Sequence, residues 1–295
     1  MAELTVVADG VYTFEDFYWH KIYGENGYYQ GGNGSGIDFL TEVHHGDFLA
    51  RQIAKWIDAH WLYHNKPNTV NFYELGAGDG TLCSQIFSLE FDAKKSVKYV
   101  AVDVIEDYQF FYNENIEFRT SLPKTDFSGL IFGNEFLDQH PSRAFFVGEG
   151  ILYEIFVQVK ESKAEMFFKQ PEDTSILNPW LDNKTDGFFI YASGAVAILS
   201  DLRTRFSGQA WFRDYGVEST AHLWNKNSVV VNQFTKSFKL LDNQNVFDIS
   251  FLVPFDQIAS TVNNYKLTRL PGQFSPGPLK ESDVGFFDIH LDFTR

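Results

Sequence analysis

Three polar clusters in this 295-residue chain stand where chemistry can be done. The first is Glu74-Leu75-Gly76-Ala77-Gly78-Asp79-Gly80, where an apolar run from Val70 ends in a carboxylate and breaks into alternating glycines. Glycines there allow a tight turn from strand into helix and let a ligand lie close against main chain, so bare backbone amides are expected at the helix start. The second is Asp103, with Val104 behind it, closing the apolar run Lys98-Tyr-Val-Ala-Val. A carboxylate in that place can accept protons from both hydroxyls of a ribose, although Asp also commonly just ends a strand. The third is Asn134-Glu135-Phe136-Leu137-Asp138, which follows the apolar strand pattern Gly129–Gly133. Its polar groups either serve a ligand beyond the strand end or cap the helix that follows. Three polar groups at one strand end favour the ligand.

The elements that must position these clusters follow from the rhythm of the chain. Strand and helix patterns alternate: strand 70–75, helix 81–89, strand 98–104, a short strand 116–119, strand 129–133, helix 193–206 and strand 209–215, with further strands near 248–253 and 285–292. Such alternation predicts an α/β fold with a doubly wound parallel sheet. Between about 144 and 168 the pattern changes to period-two aromatics around a Gly148-Glu149-Gly150 turn, which predicts an antiparallel meander. The division expected is an N-terminal extension or lid over 1–66, a core over 67–143 and 187–295, and a β insertion over 144–186 on the substrate side. The stretch Gly187–Ser200 reads as an ordinary helix lying on a sheet, with Ala195, Ile198, Leu199 and Leu202 at helical spacing. Ser275-Pro-Gly-Pro278 marks a turn before the last strand, and Gly31–Gly36 a loop.

Composition narrows the class. A hydrophobic fraction of 44% supports a full core, and a formal net charge of -15 argues against a bulk nucleic-acid surface, which needs clustered Lys and Arg. The stretch 187–200 is too short for a bilayer span of about 20 residues, and the N-terminus lacks a basic start and long apolar core. With a single cysteine, Cys83, these features lead to the expectation of a cytoplasmic protein. His60 and His64 lie four apart on a helix, but Trp61 takes the place of the glutamate in H-E-x-x-H, so no metal site is expected. His140 follows the third cluster and serves either as a proton relay or as part of a surface turn.

The spacing of the glycines discriminates between two families. A dinucleotide fingerprint needs glycine at 81, where Thr81 stands. E-x-G-x-G-x-G instead resembles motif I of class I S-adenosylmethionine (SAM) methyltransferases. That resemblance implies SAM as cofactor, with Gly76, Ala77, Gly78 and Gly80 passing under it. Glu74 would support the loop or the cofactor's ammonium, and Asp103 and Val104 would lie at its ribose end. Asn-Glu-Phe-Leu-Asp-x-x-Pro at 134–141 is similar to a signature of MidA-type methyltransferases, whose mitochondrial member is a complex I assembly factor that dimethylates a protein arginine.

Gly27-Tyr28-Tyr29, Gly36-Ile-Asp38-Phe-Leu-Thr41-Glu42, the strand Gly208–Gly216 and Asn245–Phe255 resemble further elements of that family in order and spacing. The resemblance implies Tyr29, Asp38, Thr41 and Asn134 as cofactor contacts. It also implies Glu135, Asp138 and Asn134 as the catalytic set and a protein arginine as acceptor, for instance on a respiratory-complex subunit. Departures lie on the substrate side: no Ser-Pro between Thr41 and Glu42, Asp79 where the family usually has Arg, Tyr191 where it often has Glu, and a shorter chain after 265. They leave room for a small-molecule or other side-chain acceptor, or for a SAM-binding scaffold without turnover.

Overall fold

The computed structural model describes residues 6–31, 41–112, 116–181, 186–221, 241, 243, 249–271 and 284–294. The run Val70–Leu75 forms strand β2, buried at every position but Asn71. It is flanked in parallel by β3 (Val97–Val102) and β5 (Phe127–Asn134). The sheet continues past β3 to β4 (Glu117–Arg119), and past β5 to β10 (Phe206–Val217), again in parallel. Beyond β10 come β13 (Val284–Asp292) and then β12 (Asn264–Arg269), each antiparallel to its neighbour, while the short β11 (Val253–Pro254) pairs with β10. The order is β12-β13-β10-β5-β2-β3-β4. Mostly parallel strands covered on both faces must be apolar on both, and alternate residues do point to two cores. Phe72, Leu130, Phe132 and Trp211 meet α2 (Phe48–Tyr63) and α3 (Thr81–Ser88). Tyr73, Ile131 and Phe212 meet α5 (Ser193–Arg205) and the short α6 (Phe255–Ala259).

A second sheet is wholly antiparallel, in the order β1-β7-β6-β9, with β8 on the free side of β7. Its strands are β1 (Gly10–Thr13), β6 (Arg143–Gly148), β7 (Ile151–Lys160), β8 (Lys163–Lys169) and β9 (Gly187–Tyr191). The helix α1 (Phe14–Tyr23) starts on Thr13, whose hydroxyl oxygen accepts the Asp16 amide, and lays Phe14, Phe17, Tyr18 and Ile22 on Ile155, Val157 and Ile190. A single turn, α4 (Asn178–Leu181), lies between β8 and β9.

The aromatic meander and the strand–helix alternation are therefore both present, with three differences. Residues 187–200 are not one helix: Gly187–Tyr191 is a strand paired with β6, and helix begins only at Ser193, with Ala195, Leu199 and Leu202 buried. The N-terminal stretch is two pieces in space, since β1 and α1 join the antiparallel sheet through β7 whereas α2 packs on the parallel one. Where a strand over 248–253 was expected, the described part is ladder-bonded only at Val253–Pro254. There Ile249 accepts the Tyr18 hydroxyl at 2.6 Å and Phe251 donates to the Asp138 carbonyl at 3.0 Å, so these backbone groups are satisfied by α1 and by the turn after β5 rather than by a neighbouring strand. The turn at 275–278 and residues 32–36 lie outside the described residues.

Candidate active site

The chain leaves β2 for β3 on one side and returns to β5 on the other, so a crevice opens beyond the carboxyl ends of β2 and β5, where ligands bind in such sheets. A cavity of about 740 Å3 occupies it. Glu74, Gly76, Ala77, Gly78, Asp103 and Val104 line one half. Asn134, Glu135 and Asp138 line the other, with Tyr29 and Thr41 coming in from the N-terminal part. Asp38 lies outside the described residues. Gly80 forms the start of α3 rather than the cavity wall.

In the first half, Gly76, Gly78 and Gly80 all take left-handed φ values of 66°, 51° and 78°. A Cβ at Gly76 would lie 3.0 Å from the Phe136 ring and one at Gly80 3.1 Å from Tyr112, so space as well as φ selects glycine. The expectation of bare amides is corrected. Gly76 and Ala77 donate to the Val102 carbonyl, Gly78 to Asp103 Oδ2 at 2.9 Å, Gly80 to the Ala77 carbonyl, and Thr81 to Asp79 Oδ1 at 3.0 Å. The turn folds back on the end of β3, which supplies the acceptors for Gly76, Ala77 and Gly78, while the loop itself supplies those for Gly80 and Thr81. Asp103 also accepts the Ile105 amide on Oδ1 at 3.0 Å, and burial raises its pKa. The Val104 amide is a third backbone donor to it, which leaves the carboxylate part of its acceptor capacity for a ligand. Glu74 is buried against the Tyr99 hydroxyl, which donates to it. Desolvation, reinforced by the negative charges of Asp103 and Asp79, pushes Glu74 up to about 8. A residue that sequence reasoning missed, Tyr112, bonds the Ala77 and Gly78 carbonyls at 2.9 and 3.0 Å and pins the loop from outside.

In the second half, β5 is followed directly by Glu135 with φ of 49°, a left-handed conformation that costs a non-glycine residue about 1 kcal/mol. Its amide donates to the Arg213 carbonyl at 2.8 Å. Its Oε1 accepts from Asn134 Nδ2 and from the Glu42 amide, each at 3.2 Å. Burial raises the Glu135 pKa above the ordinary range, with the Glu42 charge adding to it. The capping alternative does not describe this turn. The following 3-10 turn Leu137–Gln139 receives no cap from Asn134 or Glu135, and its Leu137 and Asp138 amides donate to Asp214 Oδ2 at 2.8 and 3.3 Å. Asp214, fully buried and close to Glu135, is pushed up to about 8 chiefly by desolvation. Asp138 is buried beside Tyr215, and Asn134 Oδ1 is buried without a hydrogen-bond partner. Burial holds His140 down at about 4, so its imidazole is neutral across the physiological range and adds no positive charge to the site.

Of the N-terminal residues, Tyr29 stacks on Tyr23 with ring centroids 5.5 Å apart. Thr41 starts the 3-10 turn Glu42–His45, its amide donating to His44 Nδ1 at 3.1 Å. With Nδ1 accepting, Nε2 bears the proton and faces Asp79 Oδ2 at 3.4 Å. Asp79 is the residue at which the glycine loop departs from the arginine usual in the family that the sequence resembles. Elsewhere, His60 and His64 stack at 4.3 Å, and among the described residues no group of three or more His, Cys, Asp or Glu gathers as a metal site. Cys83 is buried in the α2–α3 core. Tyr191 packs on Trp180 at 5.7 Å, in the antiparallel sheet. Glu42 and Asp214 fell inside segments that resemble family elements but were given no role, and Arg213 and Tyr112 had no readable signal of their own, because each acts through a partner far away in sequence.

A parallel strand turned by glycines, an acid at the next strand end and a polar cluster across the switch point define a SAM-dependent methyltransferase of α/β fold. Residues 52–271 match the family described as "Putative S-adenosyl-L-methionine-dependent methyltransferase", and the chain belongs to that family. No curated protein matches the sequence. The fold is that of a COG1565 superfamily member from Burkholderia thailandensis bound to S-adenosyl-homocysteine, at a TM-score of 0.68 and 19% identity over 85% of this chain and 71% of that one. A second COG1565 superfamily structure from the same organism gives 0.70 and 17% over 96% and 87%. The cofactor is SAM. The residues present fit it: the cavity has the volume of a ligand pocket, Asp103 retains acceptor capacity at its wall, and the buried Asn134 Oδ1 awaits a donor. No described helix is long and apolar enough to cross a membrane.

Proposed function

We propose that this methyltransferase acts on an arginine side chain of a protein, such as a subunit of a respiratory complex, in the cytoplasm. The observation that carries the reading is the acidic end of β5: Glu135 and Asp138 line the cavity, with Asp214 directly behind, and burial raises Glu135 and Asp214 above their ordinary range. A cation placed among crowded, desolvated carboxylates favours their charged form and is attracted to it. A guanidinium stays protonated at working pH, and its planar fork suits carboxylates.

SAM supplies an activated methyl group on its sulfonium. Asp103, Asn134 and Glu74 would hold the cofactor, through the hydroxyl and ammonium groups that such acceptors suit. Glu135 and Asp138 would pair with two guanidinium nitrogens and keep the positive charge there, so that the third nitrogen is more electron-rich. As the new N–C bond forms and the methyl–sulfonium bond breaks, the methylated nitrogen releases one proton to solvent, while Glu135 and Asp138 stay paired with the other two nitrogens of the guanidinium, which keeps its charge. Because the transfer is a displacement, holding the acceptor in line supplies much of the rate.

Incubating host lysate with labelled SAM, then identifying the labelled protein and residue, tests this directly. Label on an arginine is the expected result. Label on a small molecule or on another side chain replaces the substrate, and SAM binding without any label turns the protein into a scaffold.

A further inference from the structure

The 3-10 turn Glu42–His45 runs between the two halves of the cavity, and it is fastened on both. His44 faces Asp79 of the glycine loop at 3.4 Å, and the Val43 carbonyl accepts from Gln85 Nε2 of α3 at 2.7 Å. On the other side the Glu42 amide donates to Glu135 Oε1 at 3.2 Å, while the Glu42 carboxylate accepts from Arg213 Nη1 at 2.9 and 3.1 Å. Arg213 is 1% exposed. Its remaining donors are spent on Asp288, at 2.7 and 2.8 Å, and on Gln52 Oε1 at 3.0 Å. Asp288 is itself held by the Trp211 indole at 2.9 Å.

A buried ion pair is a poor source of net stability, because desolvation offsets the attraction; what a saturated, rigid guanidinium gives is placement. The placement here closes on itself. The Arg213 carbonyl accepts the Glu135 amide, the Arg213 side chain grips Glu42, and the Glu42 amide grips the Glu135 carboxylate. We propose that Arg213 is a positioning residue which, through Glu42, sets the Glu135 carboxylate and couples it to the cofactor loop. This rests on the reading of Glu135 as the acceptor clamp.

The test uses Glu42→Gln and Arg213→Gln in the full chain. Because Arg213→Gln leaves buried Asp288 without its counter-charge, a loss of fold in that variant is anticipated, and Glu42→Gln decides. Three quantities are read: SAM affinity by calorimetry, the rate of label transfer to lysate at saturating SAM, and the Glu135 titration by NMR with carbon-13 glutamate. The charged and titratable groups around Glu135 are Glu42, His44 and Asp214.

Glu42→Gln removes one negative charge and loosens the grip of Arg213. The Glu135 titration is expected to move to lower pH and transfer to slow by about tenfold, with SAM affinity within about threefold. A parental transfer rate in folded Glu42→Gln overturns the proposal, whatever the titration does. If the lysate takes no label, an unmoved Glu135 titration overturns it and a moved one supports it. Failure of the arginine reading is seen separately, as label from the parent protein on some other group.

Discussion

The two halves of the cavity are built by different means. The cofactor half is held by main chain and near neighbours: the glycine loop donates to Val102 and Asp103 on the adjacent strand, and Tyr112 closes it. The half at the end of β5 is held by charged side chains that meet from far apart, with Glu42, Glu135, Asp214, Arg213 and Asp288 brought together from both ends of the chain. Substitutions in the first half should therefore register in cofactor affinity, and those in the second in turnover.

The sharpest break of that comparison is at Glu135. Glu135→Gln keeps the size and the acceptor oxygen but cannot hold a guanidinium's charge, so turnover is expected to fall by roughly two or more orders of magnitude while calorimetric SAM affinity stays nearly intact. Equal turnover in both proteins removes the clamp. Gly78→Val should act the other way. A β-branched residue is strained at the φ of 51° and adds atoms at the cavity wall, so SAM affinity is expected to drop by about a hundredfold. Asp103→Ala removes a ligand acceptor together with the loop's anchor for the Gly78 amide; the charge-assisted hydrogen bond of about 2 kcal/mol alone corresponds to about thirtyfold weaker SAM binding.

Glu74 adds a pH test. Its folded pKa of about 8 lies above its ordinary value, so the folded chain binds more protons than the unfolded one between about 4.5 and 8. Stability from this group is thus present at low pH and lost as pH rises through that window. Thermal unfolding without cofactor should occur at lower temperature at pH 8.5 than at pH 6, and Glu74→Gln should flatten the slope, leaving the part due to Asp214. A cationic cofactor group near Glu74 favours its ionised form, so SAM affinity should rise from pH 7 to 8.5 in the parent more than in the variant. The smallest effect is expected at Tyr191, which packs on Trp180 in the antiparallel sheet. Tyr191→Phe should leave both SAM affinity and turnover within about twofold.

What could be read in advance follows the same division. Val70–Leu75, Gly76–Gly80 and Asp103 form one local strand–turn–helix–strand unit, so their order in sequence is their order in space. Asn134, Glu135 and Asp138 were legible as a polar cluster at a strand end. That they do not cap the next turn became visible only when Asp214 took that place. The strand Gly187–Tyr191 was hidden because its apolar run continues without a break into a helical pattern. The helix α1 and strand β1 went unseen because their apolar faces are answered by β7, far along the chain.

The sequence by itself determined the alternating α/β core, the glycine turn and the acids that end β3 and β5, because short-range geometry and hydrophobic period dictate them. Tertiary structure alone decided the state of those acids. Burial lifts Glu74, Glu135 and Asp214, and Arg213 meets Glu42 only when β10 lies beside the N-terminal turn. Desolvation and ion pairing depend on which distant groups share a site, and no local pattern carries that information.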